Sequence, residues 1–155
     1  ARTSTMSTTD LSELYVRGYA LAHYPFVWQH IEHVPEHSHT LYNDSRVDRW
    51  TVEPLRDLQK LHPTAQLLRT ALWHGSESAN LEFHSDLHEG HSFTLLIYGN
   101  SLTSGGELQV TDDEVVHTIR TGANIQAWVN QQTPWRHRVR PTDELRRVCS
   151  MEFSI

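Results

Sequence analysis

The stretch SFTLLIYGNSLTSGGELQV, residues 92–110, holds two strand patterns joined by a glycine-rich turn. Residues 93–98 form a short apolar run of β-prone side chains, and Gly99-Asn100 closes it, as is typical of a buried strand. The pair Gly105-Gly106 indicates a tight turn that leads into an alternating run over residues 107–110. Two strands connected in this way indicate an antiparallel sheet.

The chain continues in the same pattern after this stretch. Residues 115–119 and 127–129 are two further short strand candidates, with Gly122 marking the turn between them. Residues 147–155 then alternate, so that Cys149, Met151, Phe153 and Ile155 share one face. Short strands joined by turns predict a meander, because no helical pattern separates them as it would in alternating β and α units.

The N-terminal half has a mixed pattern. Residues 1–9 are small and polar, so we expect them to be mobile. Within residues 11–29, the mixed aromatic and apolar stretch 15–24 is predicted to form a strand that leads to a turn at Pro25, and residues 67–73 are predicted to form a strand that enters the core. At 155 residues the chain has the usual size of one domain, which we place at 1–155.

One helix is predicted, over residues 52–61. Thr51 can cap its start, Pro54 falls in the first turn, and Pro63 ends it. Its leucines share one face.

Three residues have the order and type of a metal-binding set. His84 and Asp86 lie two positions apart, so in an extended segment both side chains point the same way, and His137 follows much later. Two histidines and one carboxylate are the facial triad that holds Fe(II) and leaves other coordination positions open. For the first two residues alone, a solvated surface strand is the simpler interpretation.

Two other clusters are rich in possible ligands. His30, His33, Glu36, His37 and His39 fall within ten residues, but Pro35 interrupts any helix that could align them. We interpret them as loop histidines or polar surface. His88, Glu89 and His91 form a second, weaker cluster.

The order of several short motifs is more specific than any one of them. They are the H-x-D at His84 and Asp86, Tyr98-x-Asn100, Gly105-Gly106-Glu107-Leu108, His137-x-Val139-x-Pro141 and a late arginine. Over residues 81–155 the chain thereby resembles the Fe(II)- and 2-oxoglutarate-dependent oxygenases of the prolyl-hydroxylase-like branch. The resemblance implies a mainly β fold, a double-stranded β-helix core over 81–155, with residues 10–80 as support that includes one or two helices.

The resemblance also implies roles for individual residues. His84, Asp86 and His137 would be the iron ligands, and a basic residue of the last strand would pair with the far carboxylate of 2-oxoglutarate. We prefer Arg147, because it shares a face with Cys149, Met151 and Phe153 that we expect to line the barrel. Arg146 is the alternative, since a register change of one residue would exchange the two faces. Tyr98 would help to hold the same carboxylate.

The implied activity is that of a dioxygenase that uses Fe(II), 2-oxoglutarate and O2, hydroxylates a C–H bond, and releases succinate and CO2. The substrate stays open between a protein side chain, an amino acid, a small metabolite and a nucleobase. One alternative is a cupin-like metal protein with His84, His88, Glu89 and His137 as ligands. Another is a binding module on the same fold without catalysis.

The composition indicates which kinds of partner the protein binds and in which compartment we expect it. The formal charge of −6 and pI near 6.0 argue against a nucleic-acid-coating surface. Five arginines still crowd one region, and we expect them to bind the anionic cosubstrate or solvent: Arg136, Arg138, Arg140, Arg146 and Arg147. With Cys149 as the single cysteine and no membrane or signal pattern, we expect an intracellular, cytoplasmic protein.

Overall fold

Two antiparallel sheets face each other. The computed structural model describes residues 9–31, 40–75, 82–87 and 90–155. Its two α-helices are α1 (Glu13–Val16) and α2 (Val52–Leu61), and 3-10 turns cover Trp28–His30 and Ser45–Trp50. The strands are β1 (Tyr19–Ala22), β2 (Leu41–Tyr42), β3 (Gln66–Gly75), β4 (Phe93–Tyr98), β5 (Leu108–Thr111), β6 (Val116–Ile119), β7 (Gln126–Asn130), β8 (Arg136–Val139) and β9 (Arg146–Ser154).

The larger sheet has the strand order β1-β7-β4-β9-β3-β2, and the smaller sheet has the order β6-β5-β8. Every strand pairs with its neighbours in the antiparallel sense. From β4 onward the chain passes back and forth between the sheets, so that β4, β7 and β9 lie in the larger sheet and β5, β6 and β8 in the smaller one. The predicted mainly β architecture is confirmed.

Apolar side chains cover both faces of the larger sheet. One face packs against the N-terminal segments and α2, with Leu14, Leu58 and Phe153 among the fully buried residues. The other face packs against the smaller sheet around Leu108 and Val129. Complete burial of a Leu or Phe side chain contributes about 1.5–3 kcal/mol relative to exposure. The larger sheet is therefore the middle of three layers.

Residues before position 81 are part of the main sheet as well as its support. Strands β1 and β3 pair along their whole lengths with β7 and β9, and β2 pairs with β3. The stretch 15–24, predicted as a strand, begins at the end of the short helix α1 and is a strand only over β1. Neither helix of the described residues could span a membrane.

Helix α2 has the predicted bounds, but its start is not capped as expected. The hydroxyl of Thr51 donates a 2.8 Å hydrogen bond to the carbonyl oxygen of Asp48, at the end of the preceding 3-10 turn. The side chain therefore stabilises the incoming turn and does not accept from a helix N–H group.

The double-glycine turn is present where it was predicted. Gly105 and Gly106 both have positive φ, at 74° and 77°. A Cβ at Gly105 would collide with the carbonyl oxygen of Pro141. Glycine is needed here because the turn packs directly on the backbone that follows β8.

A buried hydrogen-bond network ties the N-terminal segment to the larger sheet. The Tyr24 hydroxyl donates a 2.5 Å hydrogen bond to Asp57 of α2 and accepts one of 2.9 Å from the indole N–H of Trp128 on β7. The Gln126 side chain pairs with the backbone N–H and C=O of Tyr24, both at 2.8 Å. Burial, chiefly, raises the pKa of Tyr24, so the hydroxyl keeps its proton.

We predict that Tyr24→Phe lowers the free energy of unfolding by about 1–3 kcal/mol, because it leaves the buried Trp128 N–H and the Asp57 carboxylate without their partner. Urea denaturation followed by circular dichroism measures this change. Tyr19→Phe is the matched control, since no described residue bonds the Tyr19 hydroxyl. Equal stability of the two variants would contradict a stabilising role for the network.

Candidate metal centre

The structure brings the three predicted ligands together. Potential ligand atoms of His84, Asp86 and His137 all lie within 4.8 Å of one another. The two imidazole centroids are 4.4 Å apart, and Nε2 of His137 is 3.9 Å from Oδ2 of Asp86. Two neutral nitrogens and one carboxylate oxygen at this separation suit a divalent transition metal.

A backbone bridge sets the distance between the two histidines. The N–H of His84 donates to the carbonyl of His137 at 2.9 Å, and the N–H of His137 donates back at 2.8 Å. This reciprocal pair makes His84 a one-residue extension of the smaller sheet, beside β8. Residues directly opposite in an antiparallel pair bring their side chains close together on one face.

Local contacts prepare both imidazoles for coordination. Nδ1 of His84 lies 3.1 Å from the carbonyl oxygen of Glu82. Since a carbonyl only accepts, Nδ1 is the donor in this contact, and Nε2 is the ring nitrogen that is left to coordinate a metal. Burial, followed by the nearby His84, lowers the pKa of His137 to about 4, although Asp86 acts in the opposite direction. His137 is therefore neutral at physiological pH, the form that binds a metal.

A glutamine that the sequence analysis did not single out holds the third ligand. The side-chain oxygen of Gln131 accepts the backbone N–H of Asp86 at 2.9 Å, and its amide nitrogen lies 3.5 Å from the Asp86 carboxylate. The same nitrogen donates to the Thr94 hydroxyl at 3.0 Å. The hydroxyl of Ser85 donates to the Gln131 carbonyl. Gln131 is 1% exposed, so these contacts are shielded from water.

No pattern in the sequence marks Gln131 for this role. Glutamine is common, and this one contacts a segment that lies far away in the chain. The only available signal is its place just after β7, at the end of a strand that was predicted to be buried. Contacts of this kind fix the orientation of a metal-binding carboxylate.

His84 and His137 line a cavity of about 320 Å³ between the sheets. Its apolar walls include Ala71, Leu96 and Val148, and its polar residues are Thr40, Tyr42, Arg69, Trp73, His84, Tyr98, His137, Arg146, Ser150 and Glu152. Tyr98 and Arg146, the alternative to Arg147, thus line the same cavity as the two histidines.

Strand β9 presents the opposite face to the cavity from the one we predicted. The cavity is lined by Arg146, Val148, Ser150 and Glu152, whereas Cys149, Met151 and Phe153 pack in the core on the helical side. Arg147 also points to that side, where a Cβ at Gly99 would lie 3.0 Å from its Cδ. The expectation that Arg147 lines the barrel is wrong, because the strand register differs by one residue.

Arg146 is a partly buried cation that lacks a carboxylate partner among the described residues. Its Nε is buried and makes no hydrogen bond, and the guanidinium carbon lies 4.8 Å from the ring centroid of Trp73. Burial lowers the pKa of Arg146, with Tyr98 partly opposing the shift. Burying an unpaired charge costs several kcal/mol, so this arrangement favours an anionic ligand.

The two named residues of the Tyr98-x-Asn100 motif have different roles. Burial raises the pKa of the Tyr98 phenol to about 12, so it stays protonated beside Arg146. The Asn100 side chain donates to the Leu145 carbonyl and accepts the Arg147 N–H, both at 2.8 Å. Asn100 therefore fixes the first residues of β9, from which Arg146 projects.

The structure describes only two of the other candidate ligands, His30 and His91. His33, Glu36, His37, His39, His88 and Glu89 lie outside the described residues, while Nδ1 of His30 contacts Arg49 at 2.9 Å. His91 is buried, with Nε2 3.4 Å from the carboxylate of Glu152. Within the part of the chain that is described, the only grouping of three such ligands is the triad.

Removing the Gln131 side-chain amide, which holds Asp86 in place, should weaken metal binding without abolishing it. We expect Gln131→Leu to reduce Mn(II) affinity by about 10- to 100-fold, because Asp86 loses its fixed orientation. His84→Ala and His137→Ala should lose stoichiometric binding. Gln132→Leu, the adjacent control, should bind as the parent does in calorimetric titration. Retention of the metal by His84→Ala would refute the site.

Neither a protein-family model nor a curated protein sequence matches the chain. Similar folds were found among solved structures. A prolyl 4-hydroxylase from Phytophthora capsici superimposes with a TM-score of 0.71 at 17% identity, over 93% of this chain and 61% of that one. A Pseudomonas putida prolyl 4-hydroxylase gives 0.65 at 14% identity, over 94% and 97%.

A third neighbour was solved with a metal. HygX from Streptomyces hygroscopicus, with iron bound, gives a TM-score of 0.61 at 11% identity, over 99% of this chain and 87% of that one. The chain spans about three fifths of the length of the Phytophthora enzyme. The chain has the double-stranded β-helix fold of the prolyl-hydroxylase-like 2-oxoglutarate oxygenases.

Proposed function

We propose that this protein is an Fe(II)- and 2-oxoglutarate-dependent dioxygenase that hydroxylates a C–H bond and forms succinate and CO2. The main support for the proposal is a single cavity of about 320 Å³ that is lined both by candidate metal ligands and by a cationic side chain. His84 and His137 of the triad line this cavity, with Asp86 beside them, and Arg146, which has no carboxylate partner among the described residues, lines it as well.

Iron would be held by Nε2 of His84, a carboxylate oxygen of Asp86 and Nε2 of His137. When bound there, Fe(II) would supply the oxidative chemistry, with open positions for the keto acid and O2. The protein keeps His137 neutral by burial and orients Asp86 through Gln131. Both contributions exist in the metal-free chain, so little rearrangement is needed when the ion binds.

Arg146 would bind the far carboxylate of 2-oxoglutarate. A planar guanidinium can form two parallel hydrogen bonds with a carboxylate, and the ring of Trp73 holds it in place. Tyr98 can donate a further hydrogen bond because its phenol remains protonated. Arg147, our first choice from the sequence, lies on the other side of the sheet and has a packing role beside Gly99.

The cavity also limits access of water. Leu96, Val139 and Val148 form apolar parts of its wall between the arginine and the histidines. A low-dielectric surrounding strengthens the ionic contact to the keto acid. The structural neighbours that are prolyl 4-hydroxylases support a hydroxylation, and the substrate remains among the classes named above.

With Fe(II) and O2 present, we predict that the protein converts 2-oxoglutarate to succinate, slowly even when no other substrate is added. Succinate can be quantified by mass spectrometry. His137→Ala should form none, since it lacks a ligand for the metal. Equal succinate from the parent protein and a metal-free sample, across a range of added substrates, would rule out the proposed activity.

Arg146→Ala should weaken 2-oxoglutarate binding by more than tenfold while Mn(II) still binds. Loss of one partner of a buried, doubly hydrogen-bonded pair costs on the order of 2–5 kcal/mol, and about 1.4 kcal/mol corresponds to tenfold. Lysine at this position should restore part of the affinity, because it keeps the charge but not the fork. Calorimetric titration of the Mn(II)-loaded protein measures the effect.

Two variants test the assignment to Arg146. Arg147→Ala should leave the affinity for 2-oxoglutarate unchanged, and Tyr98→Phe should reduce it less than Arg146→Ala does, since one hydroxyl donor is removed. A large loss at Arg147 with none at Arg146 would show that the cosubstrate binds elsewhere.

A further inference from the structure

The cavity contains a second charged group, which the proposed cosubstrate does not use. Nε of Arg69 donates to a carboxylate oxygen of Glu152, and Nε2 of His91 lies 3.4 Å from the same oxygen. Arg69 and Glu152 line the cavity together with His84 and His137. The Glu152 side chain is 11% exposed and that of Arg69 35%, so the carboxylate is inside and the guanidinium is at the rim.

A β-bulge places Arg69 on the cavity side of β3. Leu67 is registered with Phe153 and Arg69 with Glu152, so Leu68 is an extra residue between them. Leu67 packs against the helical-side core. Strict alternation would put Arg69 on that side too, but the extra residue turns it to the cavity. Bulges next to active sites commonly redirect a side chain in this way.

This ion pair lies near the metal centre and away from Arg146. On β4, Thr94 is registered opposite Glu152, and its hydroxyl accepts the hydrogen bond from Gln131, which orients Asp86. Arg146 is six residues earlier on β9 than Glu152, or about 20 Å along the strand. The two arginines therefore mark opposite ends of the cavity.

The guanidinium of Arg69 is held in one plane. The Glu152 carboxylate binds the guanidinium from inside the cavity. The guanidinium carbon of Arg69 lies 4.5 Å from the ring centroid of Tyr42, a residue that is 53% exposed. An arginine fixed by a buried carboxylate and an aromatic face presents a rigid cation at the cavity mouth. Such a group is suited to planar recognition of a carboxylate.

We infer that Arg69 is a specificity-determining residue that binds a carboxylate of the hydroxylated substrate, with Glu152 and Tyr42 as its positioning residues. The inference rests on the proposed function, because it assigns the substrate end of the same site. The carboxylate belongs either to a free amino acid or to an acidic side chain within a polypeptide. Arg146 holds the cosubstrate at the other end.

The test measures preference for an acid over the matching amide. The Mn(II)-loaded protein, saturated with 2-oxoglutarate, is titrated with each standard L-amino acid and with its carboxamide. A second arm uses short peptides with blocked ends that carry Asp or Asn at the centre. Binding is followed by the midpoint of thermal unfolding, and the strongest probes are measured by calorimetry.

We expect the best acid to bind at least about tenfold more tightly than its amide, as for one charged partner in a partly desolvated pair. Arg69→Gln should abolish this preference while 2-oxoglutarate affinity is kept. Arg69→Lys should retain part of it and serves as the second variant if Arg69→Gln does not fold. Arg56→Gln, on the exposed side of α2, should retain all of it.

The possible results distinguish failure of the proposed dioxygenase function from failure of the role inferred for Arg69. If 2-oxoglutarate does not bind the Mn(II)-loaded parent protein, the proposed function is wrong, and this inference is wrong with it. If it binds but acids and amides bind equally, or Arg69→Gln keeps the preference, only the role of Arg69 is wrong. A response confined to free amino acids indicates a small-molecule substrate, and one confined to blocked peptides indicates a protein side chain.

Discussion

The reciprocal backbone hydrogen bonds between His84 and His137 are the contact on which the metal centre depends. They attach a short segment without regular structure to the edge of the smaller sheet, and they set the imidazoles 4.4 Å apart. Asp86 then follows at the spacing that an extended backbone requires. Because the bonds join main-chain atoms, the geometry does not depend on the identity of the surrounding side chains, and Gln131 is needed only to orient the carboxylate.

Strand β9 has a comparable importance for the rest of the cavity. It lies between β4 and β3 in the larger sheet, and its cavity face carries a charged residue near each end, Arg146 and Glu152. Its other face contributes Cys149, Met151 and Phe153 to the main core. One strand therefore anchors the fold on one side and positions both ends of the proposed reaction site on the other.

The cavity contains two side chains, Arg146 and His137, with buried polar atoms that lower the stability of the fold. Nε of Arg146 is buried and unbonded, and His137 is held neutral, with its pKa lowered to about 4, and with an unbonded Nδ1. Other buried polar groups are satisfied, as in the network of Tyr24, Trp128 and Asp57, while a few, such as the indole N–H groups of Trp28 and Trp50, also lack a partner among the described residues. Groups that remain unsatisfied where a cavity also holds a potential metal-binding set are best explained by ligands that complete their hydrogen bonds and charge.

The sequence by itself determined the kinds of element and the ligand set. Apolar runs and alternation predicted β4, β7 and β9, leucine spacing and prolines predicted α2 with its observed bounds, and the His-x-Asp spacing predicted the triad. These features could be predicted because they depend on residues that are neighbours in the chain. The role of Gln131 could not, since its partners are distant in sequence.

Only the tertiary structure decided which face of each strand meets the cavity. Alternation shows that Arg146 and Arg147 point to opposite sides of β9, but it does not show which side is inside, because a shift of one residue exchanges the faces. The same holds for Arg69, which the bulge at Leu68 turns toward the cavity. The orientation of Arg146 follows from the pairing of β9 with β4, and that of Arg69 from the pairing of β3 with β9. Both also depend on packing against the helical layer, and these interactions form only when distant segments come together.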